Sequence, residues 1–146
     1  MFQGRYEHTI DKKGRVSIPV KWREILREKF DERLMITNYQ NSLYAYPDKS
    51  WQELALKVQS RPQFSDENVT SFMRAFIAPV QECGIDRLGR ILIPADLREY
   101  AALKSSVVFV GMTTRIEIWD KGRWDEEFRR SMQKIQTPGS LNSLAL

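Results

Sequence analysis

Hydrophobic and polar positions alternate along the first ten residues. Phe2, Gly4, Tyr6, His8 and Ile10 fall on one side and Gln3, Arg5, Glu7 and Thr9 on the other, the two-residue period of a strand. Residues 11–14 reverse the chain, since Asp at the first place of a four-residue turn bonds back to the backbone and Gly at the fourth accepts positive φ. Val16 and Ile18 then alternate with Ser17 as a second strand leaving a hairpin. Pro19 ends that strand, because it cannot donate to a ladder, and its fixed φ suits the first turn of a helix. From there the period becomes helical, with Trp22, Ile25, Leu26 and Phe30 recurring among charges.

Short strands are predicted at residues 34–36 and 43–46 around the polar turn 38–42. Asp48 or Ser50 caps a second helix; Ser50 with Glu53 fits a capping box, and Trp51, Leu54 and Val58 form the apolar stripe. Ser65 or Asp66 opens a third helix with a wide apolar face of Val69, Phe72, Met73, Phe76 and Ile77, closing before Pro79.

The stretch IDKKGRVSIPVKWRE, residues 10–24, then returns as IDRLGRILIPADLRE, residues 85–99, with eight of fifteen positions identical. The repetition continues: Ile116, Ile118, Trp119 and Trp124 answer Leu43, Ala45, Tyr46 and Trp51 after a shorter loop. Strands at 107–110 and 116–119 surround a turn, and a last helix carries Trp124, Phe128 and Met132. The chain therefore divides into repeat 1 at 1–60, a connecting segment and helix at 61–79, repeat 2 at 80–135, and a C-terminal tail at 136–146 that lacks periodicity and is expected to be mobile. Units of this size have marginal cores alone, so the copies are expected to pack on each other, and the third helix to seal one copy against the other or against another subunit. Fold class is α+β, mainly β.

Composition changes this picture little. With 146 residues, 42% hydrophobic and 11% aromatic, most of the chain is expected to be ordered. A net charge of +4 licenses only weak attraction to polyanions, but residues 10–23 hold five cations against one Asp. The cations cluster at the two turns: Lys12, Lys13 and Arg15 in the first copy, Arg87 and Arg90 in the second, where Leu88 stands in place of Lys13. Asp11, Gly14, Asp86 and Gly89 are assigned to turn structure. Cys83, the one cysteine, reads as a buried, inert thiol, and His8, the one histidine, as structural, since neither a metal site nor a base can be built without companions. No apolar run is long enough to span a bilayer and no signal pattern opens the chain, so a soluble intracellular protein is expected.

MFQGRYEHTIDKKGRVSIP at the start and the second IDRLGRILIP resemble the MraZ family, tandem-repeat bacterial regulators built from two AbrB-like (SpoVT-AbrB) domains. The resemblance covers nearly the whole chain. It implies a swapped-hairpin β-barrel formed by the two repeats with flanking helices, and chains joined head to tail into a ring-like homo-oligomer with basic faces aligned along double-stranded DNA. It implies sequence-specific binding to short repeated sites upstream of the division and cell-wall gene cluster, usually with repression, in the cytoplasm at the nucleoid. The DNA-contacting residues it implies are Lys12, Lys13, Arg15, Arg87 and Arg90.

Residue chemistry leaves two roles open for Arg15 and Arg90. Arginine pairs bidentately with guanine or with phosphate, and a two-stranded ribbon fits the major groove. Each could equally pair with Asp11 or Asp86 of its own turn and fasten it, a bond worth about 0–1 kcal/mol when exposed. Arg23 and Arg98, with Glu24 and Glu99, read as salt-bridged scaffold or as part of an interface between chains. An enzyme is not expected: no P-loop, clustered metal ligands or nucleophile with an adjacent base occurs, and no cofactor, metal or small-molecule substrate is called for. Two alternatives stand beside DNA. An interaction module could grip an acidic protein partner, although the tail is short and polar. RNA binding fits the charge but lacks an aromatic platform at the tips.

Overall fold

The computed structural model describes residues 1–146 and is α+β. Strands β1 (Arg5–Thr9), β2 (Arg15–Ser17), β3 (Arg33–Tyr39) and β4 (Ser42–Pro47) belong to the first copy, and β5 (Gln81–Gly84), β6 (Arg90–Leu92), β7 (Ser106–Gly111) and β8 (Ile116–Asp120) to the second. Helices α1 (Val20–Lys29), α2 (Asp48–Gln59), α3 (Glu67–Phe72), α4 (Ala95–Tyr100) and α5 (Lys121–Ile135) flank them. No helix is long and apolar enough to cross a membrane.

The pairing crosses between copies. An antiparallel six-stranded sheet runs in the order β1-β7-β8-β4-β3-β5, so the leading strand of each copy joins the other copy's sheet half, and β2 pairs with β6 in a separate ribbon. The expected hairpins are thus turns between strands whose ladders lie elsewhere. Alternation fixes which face of a strand is buried, but says nothing about which strand becomes its neighbour. The sheet ends at β1 and β5, and no closed barrel is found.

One core cluster of 19 residues draws on both copies, including Phe2, Val16, Ile18, Trp22, Leu26, Leu34 and Ile36 from the first and Ile91, Ile93, Leu97, Val107, Phe109 and Ile118 from the second. At Trp22, 1% exposed, Phe2, Tyr6 and Phe109 stack edge-on, so this indole is core and not a platform for bases. His8 packs edge-on against Phe109 at 5.6 Å.

Two local expectations changed. The Ser50 capping box does not form: α2 starts one residue after Pro47, and Asp48 instead pairs with Arg33 at 3.0 Å. The third helix, capped by Asp66 through the Asn68 amide, widens at residues Met73–Ile77 into a π-helical turn. There only Phe76 of the predicted apolar face is buried. It stacks on Trp51 and Phe72, while Thr37 Oγ1 donates to its carbonyl at 2.7 Å, clamping this segment onto the outer face of the first copy's sheet. The tail past α5 includes a 3-10 turn at Asn142–Leu144.

Candidate nucleic-acid interface

Each turn is built the same way. Asp11 Oδ1 accepts from the amides of Lys13 and Arg15, both at 2.9 Å, and its Oδ2 accepts from Arg15 Nε at 2.7 Å. In the second copy Asp86 Oδ1 accepts from the amides of Leu88 and Arg90 at 2.9 Å, and Oδ2 from Arg90 Nε at 3.1 Å. The closing Gly amides donate to the Asp carbonyls, at 3.0 Å from Gly14 and 2.9 Å from Gly89. These bonds favour the ionised carboxylate. The Arg15 amide above all, with the Arg15 guanidinium and the Lys13 amide, pulls Asp11 down to about 2; the Arg90 amide leads the same downward shift at Asp86.

The ribbon sets what these turns present. Val16 and Ile91 are Cα partners at its centre, both 1% exposed, so alternation turns Arg15 and Ser17 of one strand and Arg90 and Leu92 of the other to the outer face. Arg15 lies opposite Leu92, and Arg90 opposite Ser17. Lys12, Lys13 and Arg87 are exposed at the flanking turns, with Leu88 exposed where its counterpart is lysine. All five candidate cations thus belong to one ribbon and its two turns.

Both roles considered for Arg15 and Arg90 are compatible with this geometry. The ion pair to aspartate uses Nε and leaves the two terminal nitrogens without a protein partner. A guanidinium oriented by its own turn keeps the fork with which arginine grips a guanine edge or a phosphate.

Arg23 and Arg98 depart from expectation. Neither forms an ion pair with Glu24, Glu99 or any other carboxylate. Arg23 instead reaches the second copy's turn, where its Nη1 donates to the Leu88 carbonyl at 3.5 Å, and Arg98 Nε donates to the Ile93 carbonyl at 3.0 Å beside the first. Their recurrence four residues after each proline was visible in the sequence, but their neighbours were not. At Cys83, burial pushes the thiol up to about 11.

Strand exchange within one chain, with two like turns beside a shared ribbon, defines a tandem-repeat protein whose copies form a single body with one composite basic surface. The family model described as "MraZ protein, putative antitoxin-like" matches residues 1–73 and again 76–138. The chain belongs to the MraZ family. It is 46% identical to the Transcriptional regulator MraZ of Acetivibrio thermocellus, over 86% of this chain and 85% of that protein. Its identity to the protein of that name from Moorella thermoacetica is 43%, over 93% and 92% of the two chains. With the one from Thermoanaerobacter sp. it is 45%, over 86% and 85%.

Proposed function

We propose that this chain is a transcriptional regulator that binds double-stranded DNA sequence-specifically through the β2–β6 ribbon and its two turns. The observation that carries this reading is the ribbon's outer face, where Arg15 and Arg90 from different copies stand together with Lys12, Lys13 and Arg87 beside them. A two-stranded ribbon has the width of the major groove; the arginines would read base edges or grip phosphate, and the lysines would meet phosphate as point charges. Five cationic contacts correspond to a salt slope of about −4 to −5, weak binding for a single chain. A ring of chains would multiply it through effective concentration and favour clustered repeats as the operator.

On this reading the strand exchange is the swapped-hairpin arrangement of the AbrB-like fold, with repeats at 1–60 and 80–135 joined by 61–79 and a mobile tail at 136–146. The protein acts at the nucleoid as a repressor of the division and cell-wall gene cluster, which the family membership supports.

The test is a gel shift with the DNA upstream of the chain's own reading frame. Arg15→Ala combined with Arg90→Ala is expected to abolish retention while the melting temperature falls by only a few degrees, since each substitution removes one partly exposed ion pair within its own turn. Undiminished retention by the double variant would place the DNA site elsewhere on the molecule.

A further inference from the structure

The glycine that closes each turn is covered by an arginine of the other copy. Gly14 has φ +94°, and a Cβ there would stand 2.8 Å from Arg98 Nε and 2.9 Å from its Cζ. Gly89 has φ +79°, and a Cβ there would overlap the Arg23 guanidinium and stand 2.7 Å from its Cδ. Gly14 belongs to the first copy and Arg98 to the second; Gly89 belongs to the second and Arg23 to the first. The two contacts are the same contact, made reciprocally.

Backbone bonds extend each brace. The Gly14 carbonyl accepts from the Ile93 amide at 2.9 Å, and the Ile93 carbonyl accepts from Arg98 Nε, so Arg98 is tied to the first turn through one residue. In the second turn, the Gly89 carbonyl accepts from the Ile18 amide at 2.9 Å, and Arg23 bonds the neighbouring Leu88 carbonyl. Arg23 Nε is buried with no partner. A desolvated, unpaired guanidinium nitrogen is unfavourable, and an arginine serving only as helix surface would turn it to water.

We propose that Arg23 and Arg98 are positioning residues, each of which sets, from its own copy, the turn that the other copy presents to DNA. The planar guanidinium lies where the glycine leaves room, covers the positive-φ residue, and stops the turn from shifting relative to the ribbon. Because each copy holds the other's turn, both sets of cations keep one fixed spacing, as two contacts on one duplex demand. The proposal rests on the DNA reading of the turns, but its structural half can be measured without DNA.

Hydrogen exchange on the full chain separates the possibilities. Arg98→Ala is expected to raise exchange at residues 11–15 and leave 86–90 unchanged, and Arg23→Ala to do the reverse. Arg23→Met and Arg98→Met, which keep the apolar stem, should behave alike and serve if the alanine variants fold poorly. Affinity for the upstream DNA is expected to fall about tenfold or more with the salt slope unchanged, because no phosphate contact is lost. Arg→Lys should not rescue, since an ammonium cannot lie flat over the glycine or reproduce the Nε and Nη bonds. Exchange changes confined to the variant's own copy, or none, would overturn the brace. So would a salt slope reduced by about one per arginine removed in the alanine variants and restored by lysine, the signature of direct phosphate contact. If the Arg15→Ala, Arg90→Ala chain still binds DNA while the crossed exchange pattern holds, the DNA reading fails and the brace stands.

Discussion

Tyr44 lies directly opposite Glu117 where β4 meets β8, and the two residues hold the same place in the two copies. With Val16 opposite Ile91 in the ribbon, this pair marks the axis about which the copies are related. At the ribbon the equivalence is kept, apolar against apolar. At the far pair it is broken: Glu117, 5% exposed, accepts from Arg115 at 2.7 and 3.1 Å and from Trp119 Nε1 at 3.0 Å, while Arg115 lies over the Tyr44 ring at 4.4 Å.

Removing that acid strands its donors. Glu117→Ala is expected to lower stability by about 2–3 kcal/mol, because the Trp119 N–H loses its acceptor and Arg115 its counter-charge. Glu117→Gln should cost less, since the amide oxygen still accepts one of these bonds. Urea denaturation measures both, and equal losses would show that the charge carries the whole effect and the acceptor oxygen kept by glutamine contributes nothing.

Phe76 anchors the segment that covers the first copy's sheet. Phe76→Ala should cost about 3–4 kcal/mol, the range for a large buried aromatic, while Phe64→Ala, on a fully exposed side chain, should change stability by less than about 0.5 kcal/mol. Comparable midpoints for the two variants would mean that the π-helical turn is not a fixed part of the fold.

The turn aspartates predict an acid transition with a definite sign. A carboxylate whose folded pKa is held down contributes stability above its unfolded value, near 3.8, and loses it as pH falls through the folded value. For Asp11 that window runs from 3.8 to about 2. The amides of Lys13 and Arg15 should stay protected at pH 4 and lose protection below it. In Asp11→Asn, the oxygen can still accept both amide bonds but no proton is taken up, so the pH dependence at this turn should disappear. A transition that persists unchanged in the variant would assign it to another group.

Cys83 should be silent to thiol reagents. With the thiol pushed up to about 11, almost none is thiolate at pH 8, and the side chain is buried besides. Reaction with a chromogenic disulfide is expected only on unfolding in guanidinium; rapid labelling of the native protein would contradict the burial.

Glycine positions should divide sharply. Gly84→Ala meets nothing within 4 Å and should be neutral within about 0.5 kcal/mol, whereas Gly89→Ala combines positive φ with overlap of Arg23 and should cost more than about 1 kcal/mol. Thermal melting of the two variants makes the comparison.

The sequence determined whatever depends on near neighbours along the chain. Period and turn chemistry fixed the strands, the helix starts after Pro19 and Pro94, and the Asp–Gly turns with their arginines, because i to i+4 hydrogen bonds and the alternation of faces involve only adjacent residues. The duplication also made the shared core legible, since a unit of about 60 residues has only a marginal core by itself and gains by packing on its twin. Only the tertiary structure decided that β1 pairs with β7 and β2 with β6, that the sheet stays open, and that Arg23 and Arg98 lie on each other's turns. Two nearly identical segments offer each strand two chemically similar partners, one in each copy. Which of them is taken depends on long-range packing, where loop closure over some 75 residues is weighed against burial of the whole core, and no local pattern carries that information.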